Sequence, residues 1–152
     1  PAEPAAECAP PDGLAKQLGS EILWCGQNRM DILVQIASEQ TVRNLAPDLD
    51  RLARLGTRGV IVTAISENGP ADFVSRFFCP SLGINEDPVT GSAHCCLTPF
   101  WAERLGRGEL VGFQASMRGG FVQCTLAGDR VLLGGRAVTI FSGEMIAPPA
   151  GT

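Results

Sequence analysis

Apolar positions along this chain fall into short blocks of two different periods. "EILWCG" (21–26) and "DILVQIA" (31–37) are apolar runs parted by the polar "QNRM", which predicts adjacent strands or a hairpin. "GVIVTAI" (59–65) and "DFVSRFFC" (72–79) predict two more strands around the turn "SENGP". The first of these is nearly all β-branched, so it should be buried on both faces. Towards the end, "FQASMR" (113–118), "FVQCTLA" (121–127), "RVLLGG" (130–135) and "AVTIF" (137–141) read as short strands cut by glycine-containing turns.

Three stretches carry helical spacing instead. "DGLAKQLG" (12–19) predicts a short helix with a glycine stop. "PDLDRLARLG" (47–56) has proline at its start and Leu49, Leu52, Ala53 and Leu55 on one face, a small amphipathic surface helix. The longest runs from the region of Thr90 and Gly91 to about Leu105, with Ala93, Cys96, Leu97, Phe100, Trp101 and Leu105 at three- and four-residue steps. Cys95 and Ala102 keep its other side small or apolar, so this helix belongs in the interior. Pro99 removes a backbone donor inside it and predicts a kink, at a cost of about 3 kcal/mol unless packing compensates. The expected class is α+β: a curled, mostly antiparallel sheet or barrel wrapped around one central apolar helix.

At 152 residues, 45% of them hydrophobic, the chain is long enough for one domain with a core that needs neither disulfides nor metal. The expected organisation is an extended, proline-stiffened linker at 1–13, a single domain at 14–147 and a tail at 148–152. The start "PAEPAAECAPPDG" lacks the plan of a signal peptide, and no stretch is apolar enough to cross a bilayer as a helix, so no membrane partner is expected. A start at proline points to a processed chain, an excised domain or an incomplete gene product. Net charge is −4 and the basic residues are scattered, apart from a loose Arg51, Arg54, Arg58 series read as the solvated face of a short helix. Nucleic acid, which needs a concentrated basic surface, is not an expected partner. The six cysteines lack the spacing of metal knuckles and read as reduced, mostly buried thiols of a cytoplasmic protein. No metal is expected, because His94, Cys95 and Cys96 are adjacent on one helix and point to different faces.

Candidate chemistry gathers in "NEDPVTGSAHCC" (85–96). Pro88 disfavours helical geometry at Asp87, so "NEDP" should deliver its carboxylates to the mouth of the long helix, with Thr90 or Gly91 as cap. The backbone N–H groups of Gly91, Ser92, Ala93 and His94 then lack intrahelical partners, and the helix dipole adds positive charge there. A carboxylate or phosphate held by these amides would have Asp87 as proton acceptor and Ser92 as hydroxyl donor at its flanks. The plainer alternative is that Asp, Thr and Ser only satisfy the helix start, and that His94 is a buried structural residue.

"DFVSRFFCPSLGINEDPVTGSAHC" (72–95) resembles the second-half signature of the phenazine-biosynthesis-like isomerase family, which shares the diaminopimelate epimerase fold. The resemblance continues in "VRNLAPDLDRLARLGTRGVIVTA" before it and in "RGG" and "GDRVLLGGRAVTI" after it. It implies a cofactor-independent isomerase of two similar domains, each a curled sheet around a central helix, with the active site between two facing helix mouths. Asp87 would occupy the second-domain proton-transfer position, Ser92 would contact substrate, and the Gly91 and Ser92 amides would bind its carboxylate. The type member isomerises a dihydro-hydroxyanthranilate. The first-domain motifs, Asn-x-Ser-Glu-Thr and Cys-Gly-His-Ala-Thr, have no counterpart here, so the glutamate that serves as general acid/base is missing. The expectation is the C-terminal half of a proton-transferring site for a small carboxylate, completed by an N-terminal domain or a homodimer partner. The alternative is a non-catalytic carboxylate-binding or self-associating domain. A cysteine-based racemase is disfavoured, since Asp87 stands where that chemistry needs a thiol.

Overall fold

The computed structural model describes residues 1–67 and 69–144. Eight strands form one mixed sheet in sequence order: β1 (Ala6–Glu7), β2 (Trp24–Gln27), β3 (Asp31–Gln35), β4 (Gly59–Ile65), β5 (Phe73–Phe78), β6 (Glu109–Gln114), β7 (Gly120–Ala127) and β8 (Arg130–Gly134). Most neighbours are antiparallel, but β3 pairs with β4 and β5 with β6 in parallel. Each parallel pair needs a crossover. Helices α2 (Glu39–Asn44) and α3 (Leu49–Leu52) lie in the first crossover and α4 (Gly91–Leu105) in the second, while α1 (Leu14–Leu18) precedes β2. The sheet is therefore mixed and, as expected, mostly antiparallel, in an α+β fold with few helices.

Side-chain alternation explains how both faces of the sheet centre are covered. Ile32 and Val34, Val60, Val62 and Ala64, and Val74 and Phe78 pack with Leu14 and Leu18 of α1 and with Val42 and Leu52 beyond them. Their neighbours Leu33, Ile61, Phe73 and Phe77 point the other way and pack against Ala93, Cys96, Leu97, Phe100 and Trp101 of α4. The β-branched run of β4 is buried on both faces, as its sequence predicts. Trp101 stacks on Phe73 at 6.0 Å and donates from Nε1 to Thr63 Oγ1 at 3.0 Å, so its polar edge has a partner in the core. Burying side chains such as Leu97, Phe100 and Trp101 contributes about 1.5–3 kcal/mol each.

α4 continues unbroken through Pro99. Proline has no N–H to give to the Cys95 carbonyl four residues back. That carbonyl instead accepts the N–H of Glu3 at 3.0 Å. The amino-terminal segment, expected as a linker, is extended but bound: Ala2 N–H donates to the Asp129 carbonyl at 2.8 Å, Arg29 pairs with Glu3, and β1 adds an edge to β2.

Several expectations need correction. α3 spans only Leu49–Leu52, because beyond it the backbone bonds tighten to three-residue steps. Arg58 is not on a solvated helix face; it lies past α3, half-buried and ion-paired. The strand expected at 113–118 is β6, which ends at Gln114. Ser116 turns the chain there, accepting the Gly119 N–H at 3.0 Å and donating to the Pro88 carbonyl at 2.7 Å. Residues 137–141 form no strand, and Val138, Ile140 and Phe141 are exposed. Their β-branched pattern supplies strand propensity, but none of the described strands pairs with them. The helix α2 has no counterpart among the sequence expectations. The expected tail at 148–152 and the end of the expected domain lie outside the described residues.

Candidate functional site

The segment before α4 is fixed from both sides. Asp87 N–H donates to the Phe77 carbonyl at 3.0 Å, tying the loop to the end of β5. Glu86 does not reach the helix mouth; Arg76 holds it at 2.6 and 2.8 Å and also donates to the Leu45 carbonyl at 2.7 Å. Of the two expected carboxylates, only Asp87 is delivered to the mouth.

Asp87 is placed by a directed set of hydrogen bonds. Gln114, fully buried at the end of β6, accepts the Thr90 N–H at 2.8 Å through Oε1. Its Nε2 donates to the Asp87 carbonyl at 2.6 Å and to Thr90 Oγ1 at 3.1 Å. An amide nitrogen only donates, so the Thr90 hydroxyl accepts there and turns its own hydrogen to Asp87 Oδ2, at 2.5 Å. Among the described residues Asp87 Oδ1 has no hydrogen-bond partner. The carboxylate thus stands half-exposed with one oxygen anchored and one open.

Thr90 is the N-cap residue, but its side chain makes no capping bond because its hydroxyl is directed to Asp87. Among the described residues the N–H groups of Gly91, Ser92 and Ala93 consequently have no partner. The His94 N–H differs from the expectation: it donates to the Thr90 carbonyl at 3.2 Å, inside the helix. Its ring is fully buried, with Nδ1 donating to the same carbonyl at 2.8 Å and Nε2 unpaired. Gly112 makes room for that ring, since a Cβ there would sit 3.0 Å from Nε2 and 2.6 Å from the Phe73 ring. Burial pushes the His94 pKa down, against the opposing pull of the Thr90 carbonyl. His94 is a neutral core residue in this geometry, packed beside Phe73 and Gly112.

Two further residues complete the mouth. Ser92 Oγ accepts a bond from Arg58 Nη2 at 2.9 Å. Arg58 Nε donates to Asp31 Oδ1 at 2.8 Å, and its Nη2 pairs with Asp31 Oδ2, while Asp31 is fully buried at the start of β3. The Asp31 hydrogen bond holds the Arg58 pKa above its usual value, against burial. Gly59, next in sequence, lets the Phe77 ring lie close: a Cβ there would meet it at 2.5 Å. That ring carries the Arg58 guanidinium at 5.4 Å from its centroid. A cavity of about 970 Å³ abuts the mouth at Val89 and Gly91 and is bounded further by Gly120, Phe121, Leu133 and Arg136.

The sequence singled out Asp87, Gly91, Ser92, Ala93 and His94, and the first four do share the mouth. It missed Gln114, Arg58 and Asp31. The one local signal was Asp31, a charge opening an apolar strand, whose burial would demand a partner. All six cysteines are free thiols, and Cys25, Cys79, Cys96 and Cys124 are buried. Among the described residues no three His, Cys, Asp or Glu side chains converge as a metal cage. No helix of the described residues is long and apolar enough to cross a membrane.

Fold and site together define a class: an α+β domain on a mixed sheet that presents an acid, a polarised serine and three free amides at the mouth of a buried helix. The family model for phenazine biosynthesis-like proteins matches residues 6–143, and the chain belongs to that family. It is 46% identical over 144 residues to a protein named an uncharacterized isomerase in Halalkalibacterium halodurans, covering 95% of this chain and 54% of that one. A Pseudomonas aeruginosa protein, also named an uncharacterized isomerase, is 53% identical over 114 residues, 75% of this chain and 43% of its own length. The crystal structure of a phenazine biosynthesis protein of the PhzF family from Enterococcus faecalis superposes with a TM-score of 0.84 at 40% identity, covering 89% of this chain and 51% of that one. The chain spans about half the length of the curated relatives it matches.

Proposed function

We propose that this chain forms the carboxylate-binding, acid-bearing half of a cofactor-independent isomerase site that moves a proton on a small carboxylate substrate with an acidic C–H. The observation that carries the reading is the convergence of Asp87 Oδ1, the Ser92 hydroxyl and the unpaired Gly91, Ser92 and Ala93 amides at one helix mouth. Three donors at the positive end of a 15-residue helix suit a substrate carboxylate. Asp87, anchored through Oδ2, takes the proton from carbon on Oδ1 while the electron pair delocalises into the substrate, and returns a proton at another carbon. His94 contributes to the core, not to contact with substrate.

In this reading the sheet curls around α4 as one of two similar halves, and the other half supplies the glutamate that these 152 residues lack. Without that general acid/base the chain gives up about two to four orders of magnitude in rate. The reading also makes the protein cytoplasmic, with its reduced thiols. A second reading, a non-catalytic carboxylate-binding or self-associating domain, is favoured by the exposed Phe121, Leu132, Val138, Ile140 and Phe141.

Exchange of solvent deuterium into a panel of small unsaturated and amino carboxylic acids tests the choice, with the oligomeric state followed by light scattering. Exchange by the wild type that disappears in Asp87→Ala supports the isomerase reading. Carboxylate binding with no exchange means that this mouth holds the substrate and that proton transfer needs the glutamate-bearing half, whereas exchange that persists in Asp87→Ala, or no carboxylate binding at all, overturns the reading.

A further inference from the structure

Among the described residues Arg58 reaches the mouth through its hydrogen bond to Ser92. A guanidinium nitrogen can donate but not accept, so in the 2.9 Å contact Ser92 Oγ is the acceptor. The single hydroxyl hydrogen of Ser92 is therefore not used towards Arg58, and no other described group takes it. Arg58 cannot turn away to release Ser92, because Asp31 grips it by Nε and Nη2, the Phe77 ring backs it, and its own N–H donates to the Met30 carbonyl at 3.0 Å. The grip is set by the parallel register of β3 and β4, which places Asp31 opposite Gly59, the neighbour of Arg58.

We propose that Arg58, fixed by Asp31, is a positioning residue that orients the Ser92 hydroxyl as a hydrogen-bond donor to the substrate, so that the mouth takes a carboxylate in preference to the matching carboxamide. The inference rests on the carboxylate reading above and adds its selectivity. Of the groups at the mouth, the three amides and the Ser92 O–H then meet the bound end as donors, while the open Asp87 Oδ1 is left for the reacting carbon. A carboxylate accepts at both oxygens and carries the charge that the helix end favours, whereas a carboxamide offers one accepting oxygen and turns an NH₂ towards donors, leaving part of the set unpaired. Arg58 occupies one of the two Ser92 lone pairs and so turns the hydroxyl hydrogen outward; were Ser92 free to rotate, it would present a lone pair to that NH₂ as readily as its hydrogen to a carboxylate, and the discrimination would shrink.

The test follows the Gly91, Ser92 and Ala93 amide resonances of the whole chain during titration with benzoate and, separately, with benzamide. The variants are Ser92→Ala, the neutral pair Asp31→Asn with Arg58→Gln, and all three changes together. Arg58→Gln alone would strand the buried Asp31 charge, hence the paired change. The wild type should bind benzoate in preference to benzamide. Ser92→Ala and the neutral pair should each weaken benzoate by about tenfold, as for loss of one hydrogen bond to a charged group. The triple variant should be no weaker than Ser92→Ala, since Arg58 acts through Ser92. Arg58→Lys keeps a cation beside Asp31 without the planar fork and carries the same expectation, so a paired variant that fails to fold still leaves a decisive comparison. Unchanged benzoate binding in the folded Arg58 variants, or losses that multiply in the triple variant, would overturn this proposal and spare the mouth's carboxylate reading. Wild-type amides that benzoate does not move would overturn both.

Discussion

Replacing Gln114 with leucine removes a side chain that joins the Asp87 loop, the Thr90 cap and the end of β6. The two side chains are similar in size, so the change isolates the three hydrogen bonds at 2.6, 2.8 and 3.1 Å. Thr90 is buried, and its N–H would be left unpaired, at about 1–3 kcal/mol. Asp87 is half-exposed, so water can replace the donor to its carbonyl and that loss counts for less. A total of about 2–3 kcal/mol is expected, which lowers the melting temperature of a domain this size by about 4–12 °C. Urea unfolding followed by circular dichroism gives the free energy, and amide exchange at the start of α4 shows where it is lost. A loss under about 0.5 kcal/mol, smaller than one typical hydrogen bond, would refute the clamp.

Two other outcomes follow from burial. The folded chain keeps His94 neutral below its ordinary 6.5, while the unfolded chain takes up a proton there. Stability should therefore be full above about pH 6.5 and fall as pH drops below it, by up to about 1.4 kcal/mol per pH unit, and His94→Gln should flatten that stretch of the curve. An equally steep curve in the variant would remove His94 as its source. Burial also pushes the Cys25 and Cys96 thiols up to about 12. Ellman's reagent on the native protein at pH 8 should label the half-exposed Cys8 and Cys95 first and these two more than about a thousandfold more slowly, and comparable rates at Cys95 and Cys96 would contradict the packing of α4.

Elements whose signal is local were legible in the sequence. β4 carries an unbroken β-branched run and α4 a long apolar period, and both appear where the pattern places them. α2 was not legible, because "EQTVRN" is a polar turn and a half with one core residue, Val42, and a Ser38 cap that accepts the Thr41 N–H. At the site, Asp87, Gly91 and Ser92 stand within six residues and could be read as a unit. Gln114 and Arg58 join them only once parallel pairing brings β5 beside β6 and β3 beside β4, a register that no local pattern encodes. The segment at 137–141 shows the converse, since a strand also needs a neighbour.

The contact between Pro99, Cys95 and Glu3 ties together events that sequence distance would keep apart. A helix normally closes its ladder from its own residues, turn by turn. α4 has one rung that only the amino-terminal segment can fill. Fraying of that segment therefore exposes a carbonyl in the middle of the core helix. Protection from exchange at the edge of the sheet and in the body of α4 should rise and fall as a single cooperative unit, although the segment packs at the periphery and the helix at the centre.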